Sequence, residues 1–109
     1  MTDLNKQRCV PCEGKTKPML REEAEVILAF TEGWTIVGDG KKISKDFVFA
    51  DFKEAMVFVN KVAEIAESEG HHPDIFIWWN KITLLLWTHA VLGLTTNDFI
   101  IAAKVNHIK

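Results

Sequence analysis

Histidines occur at two places in the chain where side chains could transfer protons near neutral pH. His71 and His72 form a doublet that Pro73 follows, and His89 comes later in the sequence. A free imidazole titrates near pH 6.5, so it can both accept and donate a proton under cellular conditions. Two or more imidazoles gathered in one pocket would therefore suit a reaction that needs an acid and a base.

The segment between the doublet and His89 predicts that these residues meet. Residues 74–87, DIFIWWNKITLLLW, are rich in β-branched and aromatic residues and predict a β-hairpin that turns at Asn80-Lys81. In that register His72 lies opposite His89, with Cβ atoms about 5 Å apart. His71 would point to the other face of a regular strand, so its convergence depends on the bend after Gly70.

The helix that precedes the doublet is the clearest in the chain. Asp51 is placed to cap its start, with Glu54 at the third position as in a capping box, and Gly70 is placed to close it in a left-handed conformation. The helix carries two offset apolar stripes, which predict that two surfaces cover it. The first stripe comprises Phe52, Ala55, Met56, Val59, Ala63 and Ala66, and the second Phe58, Val62 and Ile65.

The remaining periodicity predicts two more helices and a second hairpin. A short helix is expected over Leu20–Phe30, a hairpin turn at Gly38-Asp39-Gly40, and a final helix from Thr95 or Thr96. The resulting order, α-β-β-α-β-β-α, predicts an α+β fold: a four-stranded, largely antiparallel sheet with three helices packed on one face.

Length and composition limit the chain to one small domain. It has 109 residues, and its polar start predicts a flexible N-terminal arm over residues 1–17 followed by a single domain over residues 18–109. Thirteen Lys and Arg against fifteen Asp and Glu form no basic stripe, so direct nucleic-acid binding is not expected.

Membrane insertion and export are not expected either. The longest apolar run, Ile82–Trp87, is too short to span a bilayer, and the amino terminus has no apolar signal core. The expected location is cytoplasmic.

Two cysteines near the amino terminus leave a metal alternative open. Cys9-Val10-Pro11-Cys12 supplies only half of the usual four zinc ligands, so a zinc module would also have to recruit His71 and His72. As a redox motif, CxxC normally follows a strand and opens a helix, and this one lies in the predicted arm. We therefore expect no metal site.

The second face of the predicted sheet would be strongly apolar. Soluble monomers seldom leave such a surface bare, and three helices on the first face leave little chain to cover it. Self-association is therefore expected, with a ligand wall as the alternative. The residues concerned are Phe76, Trp78, Leu85 and Trp87.

Across the histidine region the sequence resembles the pterin-4a-carbinolamine dehydratase family. The resemblance rests on the His71-His72-Pro73 motif, on Thr88-His89, and on Gly93-Leu94-Thr95 followed by Asp98. Gly33-Trp34 and the KDFVFADF stretch of residues 45–52 also look like the family. Trp87 departs from the pattern, since its position often holds a small residue.

The resemblance implies the dehydration of 4a-hydroxytetrahydropterin to quinonoid dihydropterin, which recycles the cofactor of aromatic amino-acid hydroxylases. It implies that His71, His72 and His89 are catalytic, that no cofactor is needed, and that the protein forms a homodimer or homotetramer. A non-catalytic dimerisation or assembly module that binds another protein is the alternative function. Residues implied to line or support the pterin site are Glu67, Trp34, Pro73, Thr88 and Asp98.

Overall fold

Four antiparallel strands form a single sheet in the spatial order β1-β2-β4-β3, which makes β1 and β3 the edge strands. The computed structural model describes residues 3–11 and 16–108. The strands are β1 (Thr35–Val37), β2 (Lys42–Val48), β3 (Asp74–Trp78) and β4 (Lys81–Leu86). The first hairpin turns through Gly38, Asp39 and Gly40, which all have positive φ, as the sequence predicts.

Three α-helices pack against one face of this sheet, so the predicted α+β fold is confirmed. They are α1 (Arg21–Leu28), α2 (Phe52–Glu69) and α3 (Thr96–Asn106), and a short 3-10 helix at Leu4–Lys6 precedes them. The core lies between the helices and the inward side chains of the two central strands. Its fully enclosed sheet residues are Ile43, Ile82, Leu84 and Leu86, which meet helix residues such as Val62, Phe99 and Ile101.

The boundaries of α2 agree with the sequence prediction. The Asp51 carboxylate accepts a hydrogen bond from the backbone N–H of Glu54 at 2.8 Å, which caps the first turn. Gly70 closes the helix with φ of 67°, and its N–H donates to the carbonyl of Ala66. The chain therefore leaves α2 at a fixed angle immediately before the histidine doublet.

The buried face of α2 differs from both predicted stripes. The enclosed residues are Ala55, Phe58, Val62 and Ala66, which combine two members of each stripe. Phe52, the first member of the first predicted stripe, is 49% exposed. The sheet and α3 thus select a face that lies between the two stripes.

The predicted register of the second hairpin was wrong by two residues. Ile77 lies opposite Ile82 and Trp78 opposite Lys81, so the turn consists of Trp79 and Asn80. The Asn80 side chain donates to the carbonyl of Phe49 at 3.0 Å, and the Asn80 carbonyl accepts from the Phe49 N–H at 2.8 Å. This tie to the end of β2 holds the turn one residue earlier than the sequence predicts.

A shift of two residues keeps every side chain on its predicted face but moves the partners along the strand. The ladder between β3 and β4 ends at Asp74 opposite Leu85, so neither His72 nor His89 belongs to it. The histidines are therefore positioned by the segments that enter and leave the hairpin.

Residues 3–11, the described part of the predicted N-terminal arm, are packed against the domain. Leu4 is only 2% exposed and belongs to the core, and the Lys104 ammonium donates to the carbonyl of Asn5 at 2.8 Å. Cys12 lies outside the described residues. Among the described helices, none is long and apolar enough to cross a membrane.

Candidate active site

One cavity of about 500 Å³ lies at the end of the sheet where the chain passes from α2 into β3. Its wall includes all three histidines of the predicted site, His71, His72 and His89, together with Thr88. Small-molecule sites commonly enclose roughly 300–1,000 Å³, so this volume can admit a compact ligand. Histidines separated along the sequence thus share one cavity although the hairpin ladder does not pair them.

His71 is the most enclosed of the three and is held by a buried carboxylate. Its Nε2 lies 2.6 Å from Oδ1 of Asp98, and the two side chains are 12% and 0% exposed. An ionised carboxylate only accepts hydrogen bonds, so Nε2 carries the proton. The other ring nitrogen, Nδ1, is then the one that can accept a proton.

Asp98 is itself fixed by the strand end and the start of α3. Its Oδ2 accepts from the Thr88 hydroxyl at 2.8 Å and from the Thr95 N–H at 3.0 Å. The Thr88 hydroxyl has one proton and gives it to Asp98, so the Thr95 hydroxyl at 2.8 Å donates to Thr88. This fully bonded network sets the position of the carboxylate and, through it, the orientation of His71.

His72 has a carboxylate partner in a more open setting. Its Nε2 lies 2.6 Å from Oε2 of Glu67, with the two side chains 60% and 79% exposed. A surface pair of this kind contributes little to stability because water screens it. Its effect is to orient the ring at the mouth of the cavity.

His89 lies against an aromatic ring that the resemblance did not include. The ring centres of His89 and Trp87 are 4.0 Å apart, and the Trp87 Nε1–H donates to Asp74 at 3.1 Å. The Lys42 ammonium lies 4.6 Å from the centre of the Trp87 ring. Trp87 also lines the cavity, so it both supports His89 and offers an aromatic surface to a ligand.

Glu69, at the end of α2, is a further carboxylate in the cavity wall that sequence reasoning missed. Burial raises its pKa, but the hydrogen bond from the Cys9 N–H and the charges of Lys104 and Arg8 outweigh that effect, so the net pKa is lowered. Its ionised form therefore stabilises the fold above the ordinary pKa of glutamate, and this contribution is lost as the pH falls through the lowered value.

Of the five residues implied to line or support the site, only Thr88 lies in the cavity wall. Asp98 and Glu67 contact the wall through His71 and His72, whereas Trp34 and Pro73 contact none of the three histidines through a side-chain hydrogen bond. Trp34 is 3% exposed and donates from Nε1 to Asn106 at 3.0 Å, at the end of α3 opposite to Asp98. At 1.5 Å per residue, those two ends of α3 are about 12 Å apart. Pro73 is buried where the chain enters β3, so it fixes the path of the doublet.

The zinc module that the sequence left open includes Cys12, which lies outside the described residues. No group of three or more His, Cys, Asp or Glu side chains in residues 3–11 and 16–108 could hold a metal ion. Cys9 does line the cavity, but its predicted companion Cys12 falls outside the described ranges.

Among the cavity residues that sequence reasoning missed are Val10, Pro11, Glu69 and Asn97, and it grouped Cys9 with the histidines only in the zinc alternative. These residues reach the cavity through contacts between distant parts of the chain, such as that between the Cys9 N–H and Glu69 at 2.8 Å. The only local signal was the position of Glu69 and Asn97 beside residues of the predicted site.

The fold and the cavity together define a small α+β protein in which three histidines line one cavity. The chain matches the family model described as Pterin 4 alpha carbinolamine dehydratase over residues 17–108. It therefore belongs to the pterin-4a-carbinolamine dehydratase family.

Individual relatives agree with this assignment. The chain is 40% identical over 113 residues to the mitochondrial pterin-4-alpha-carbinolamine dehydratase 2 of Arabidopsis thaliana, covering 100% of this chain and 60% of the relative. It is 43% identical to a Chlorobaculum tepidum protein provisionally named for the same activity, over 99% of both chains.

A solved structure shows the same fold. The crystal structure of a transcriptional coactivator/pterin dehydratase from Brucella melitensis superposes with a TM-score of 0.77 at 34% identity. The match covers 83% of this chain and 96% of that one.

Proposed function

We propose that this protein dehydrates a 4a-hydroxytetrahydropterin to the quinonoid dihydropterin. The observation that carries the proposal is the placement of His71, His72 and His89 around one cavity. Membership of the dehydratase family supports the same reaction and substrate class. In this role the protein would regenerate the pterin cofactor of aromatic amino-acid hydroxylases.

The reaction needs one proton delivered and one removed. The hydroxyl at C4a leaves as water when an acid protonates it, while a base takes the proton from the adjacent ring nitrogen. The two proton transfers balance, so the chemistry requires neither a redox cofactor nor a metal. Positioned acid–base groups of this kind typically contribute roughly 10²–10⁴-fold to the rate.

The environments of the histidines favour different roles. His71 is suited to act as the base, because the Asp98 carboxylate at 2.6 Å stabilises the imidazolium that forms when Nδ1 takes a proton. His72 and His89 are more exposed to the cavity mouth and are placed to supply the acid. Trp87 provides a flat apolar surface against which a pterin ring can stack.

The direct test is the decay of the absorbance of a 4a-hydroxytetrahydropterin, generated by a hydroxylase, with and without added protein. We expect the protein to accelerate the decay, and His71→Asn, His72→Asn and His89→Asn each to lower kcat/KM by roughly 10²–10⁴-fold.

His107→Asn is the matched control, because His107 is exposed at the end of α3 and lies outside the cavity wall. It should leave kcat/KM unchanged. No acceleration by the unmodified protein over buffer would refute the proposed activity.

An interaction role is the second candidate function, favoured by exposed aromatic rings on β3. Phe76 and Trp78 are 43% and 57% exposed and stack with ring centres 5.9 Å apart. A homodimer or homotetramer would cover them, and so would a different protein partner. One stoichiometric protein partner, together with absence of turnover, would favour this role over the enzyme.

A further inference from the structure

The segment before the family-matched region reaches the cavity and is attached there. The family match begins at residue 17, whereas residues 3–11 pack along α3 and the end of α2. Leu4 anchors the segment in the core. From there the chain runs to Cys9, Val10 and Pro11, which line the same cavity as the three histidines.

Glu69 provides the first attachment. Its Oε1 accepts from the Cys9 N–H at 2.8 Å, and its Oε2 lies 3.1 Å from Nε of Arg8. The Glu69 side chain is only 5% exposed, so this carboxylate is shielded from water and bonded on both oxygens. Hydrogen bonds to a charged group of this kind are stronger than those between neutral groups.

Asn97 provides the second attachment. Its Oδ1 accepts from the Val10 N–H at 3.0 Å, and its Nδ2 donates to the Val10 carbonyl at 2.6 Å. The side-chain amide thus pairs with both backbone groups of one residue, as a neighbouring strand would. Asn97 is 5% exposed and stands directly before Asp98, the residue that holds His71.

We propose that residues 9–11 form a wall of the substrate site, and that Asn97 is the positioning residue that holds this wall. The inference rests on the proposed function, since the occupant is the reduced pterin. Val10 and Pro11, two of the three wall residues, contribute apolar surface and no titrating group, so we expect the wall to act on pterin binding. Loss of this wall should raise KM for the pterin and leave kcat nearly unchanged.

The first experiment leaves both attachments intact. In a Cys12→Ser variant Cys9 is the only cysteine, because the chain has two. The rate of Cys9 modification by 5,5′-dithiobis(2-nitrobenzoate) is measured with and without an unreactive 7,8-dihydropterin, whose binding is followed separately by calorimetry. We expect bound pterin to slow the modification by about tenfold or more.

The outcomes separate the two proposals. Pterin binding without protection of Cys9 overturns the wall and leaves the proposed function standing. Absence of pterin binding overturns both.

The second experiment removes the attachment at Asn97. Asn97→Ala removes the two hydrogen bonds that hold Val10. Because the wall is then less well positioned, we expect KM for the pterin to rise by roughly tenfold and kcat to stay within about twofold. Asn60→Ala is the matched control, since Asn60 is exposed and its side-chain amide donates to the Met56 carbonyl within α2. It should change neither constant. A lower melting temperature with unchanged KM, or a fall confined to kcat, would overturn the assignment of Asn97.

Discussion

The carboxylate of Asp98 joins the strand end, the start of α3 and the histidine doublet. One oxygen faces His71, and the other accepts from Thr88 and from the backbone of Thr95. Because all these partners donate hydrogen bonds, the residue at this position must have a side chain that only accepts hydrogen bonds. An acid at this position therefore determines which nitrogen of His71 carries the proton.

Asp98→Asn tests this role. The amide has one acceptor and one donor end, so keeping the bonds to Thr88 and Thr95 turns its NH₂ group towards His71 and forces the opposite tautomer. We expect kcat to fall on the order of 10²-fold, with a changed pH profile and a folded protein.

The control for this substitution is Asp39→Asn, in the exposed first hairpin turn, which should leave kcat and its pH profile as they are. An Asp98→Asn protein with normal kcat would show that the carboxylate does not orient His71.

At the scale of the elements, the end of α2 sets the direction of the doublet. Gly70 has φ of 67°, a left-handed conformation that side chains with a Cβ disfavour, yet a Cβ there would meet no atom within 4 Å. The glycine is therefore required by backbone conformation alone.

The stability of Gly70 variants should follow how readily the new residue adopts a left-handed backbone conformation. Gly70→Ala should lower the free energy of unfolding by about 1 kcal/mol, and Gly70→Asn by less, because asparagine tolerates this conformation. Urea unfolding monitored by tryptophan fluorescence measures both. Equal stability of the alanine variant and the unmodified protein would contradict the conformational explanation.

The elements themselves could be predicted because their signals are local. Asp51, Glu54 and Gly70 mark the ends of α2 within a few residues, and the glycines of the first hairpin mark its turn. The register of the second hairpin could not be predicted, since it depends on a hydrogen bond from Asn80 to Phe49, which directly follows β2. Trp79 also adopts φ of 51°, which a tryptophan rarely does.

The site was predictable only in part for the same reason. The resemblance supplied the three histidines, Thr88 and Asp98, whereas Glu69 and Asn97 meet the chain start across 60 and 87 residues. No periodicity or spacing encodes such contacts, because they arise when the segments pack.

In the molecule as a whole, one apolar side of β3 is exposed to solvent. β3 is an edge strand, and its Phe76 and Trp78 project from the face that carries no helix. Exposed aromatic residues on an unpaired edge favour contact with another sheet. We expect the protein to self-associate through this edge.

Replacing both aromatic residues by serine should shift the assembly towards the monomer, measured by light scattering at micromolar concentration. Val26→Ser, on the exposed side of α1, removes a similarly exposed apolar side chain and should leave the assembly unchanged. An unmodified protein that is already monomeric would contradict this expectation.

If the protein binds its substrate as proposed, the three histidines surround one bound pterin. Titration of the protein with an unreactive reduced pterin, followed by NMR of the imidazole ring signals, tests it most directly. We expect the signals of His71, His72 and His89 to shift together with a single dissociation constant, and the signal of His107 to stay in place. Saturable pterin binding that leaves the signals of the three cavity imidazoles unchanged would contradict this placement of the substrate.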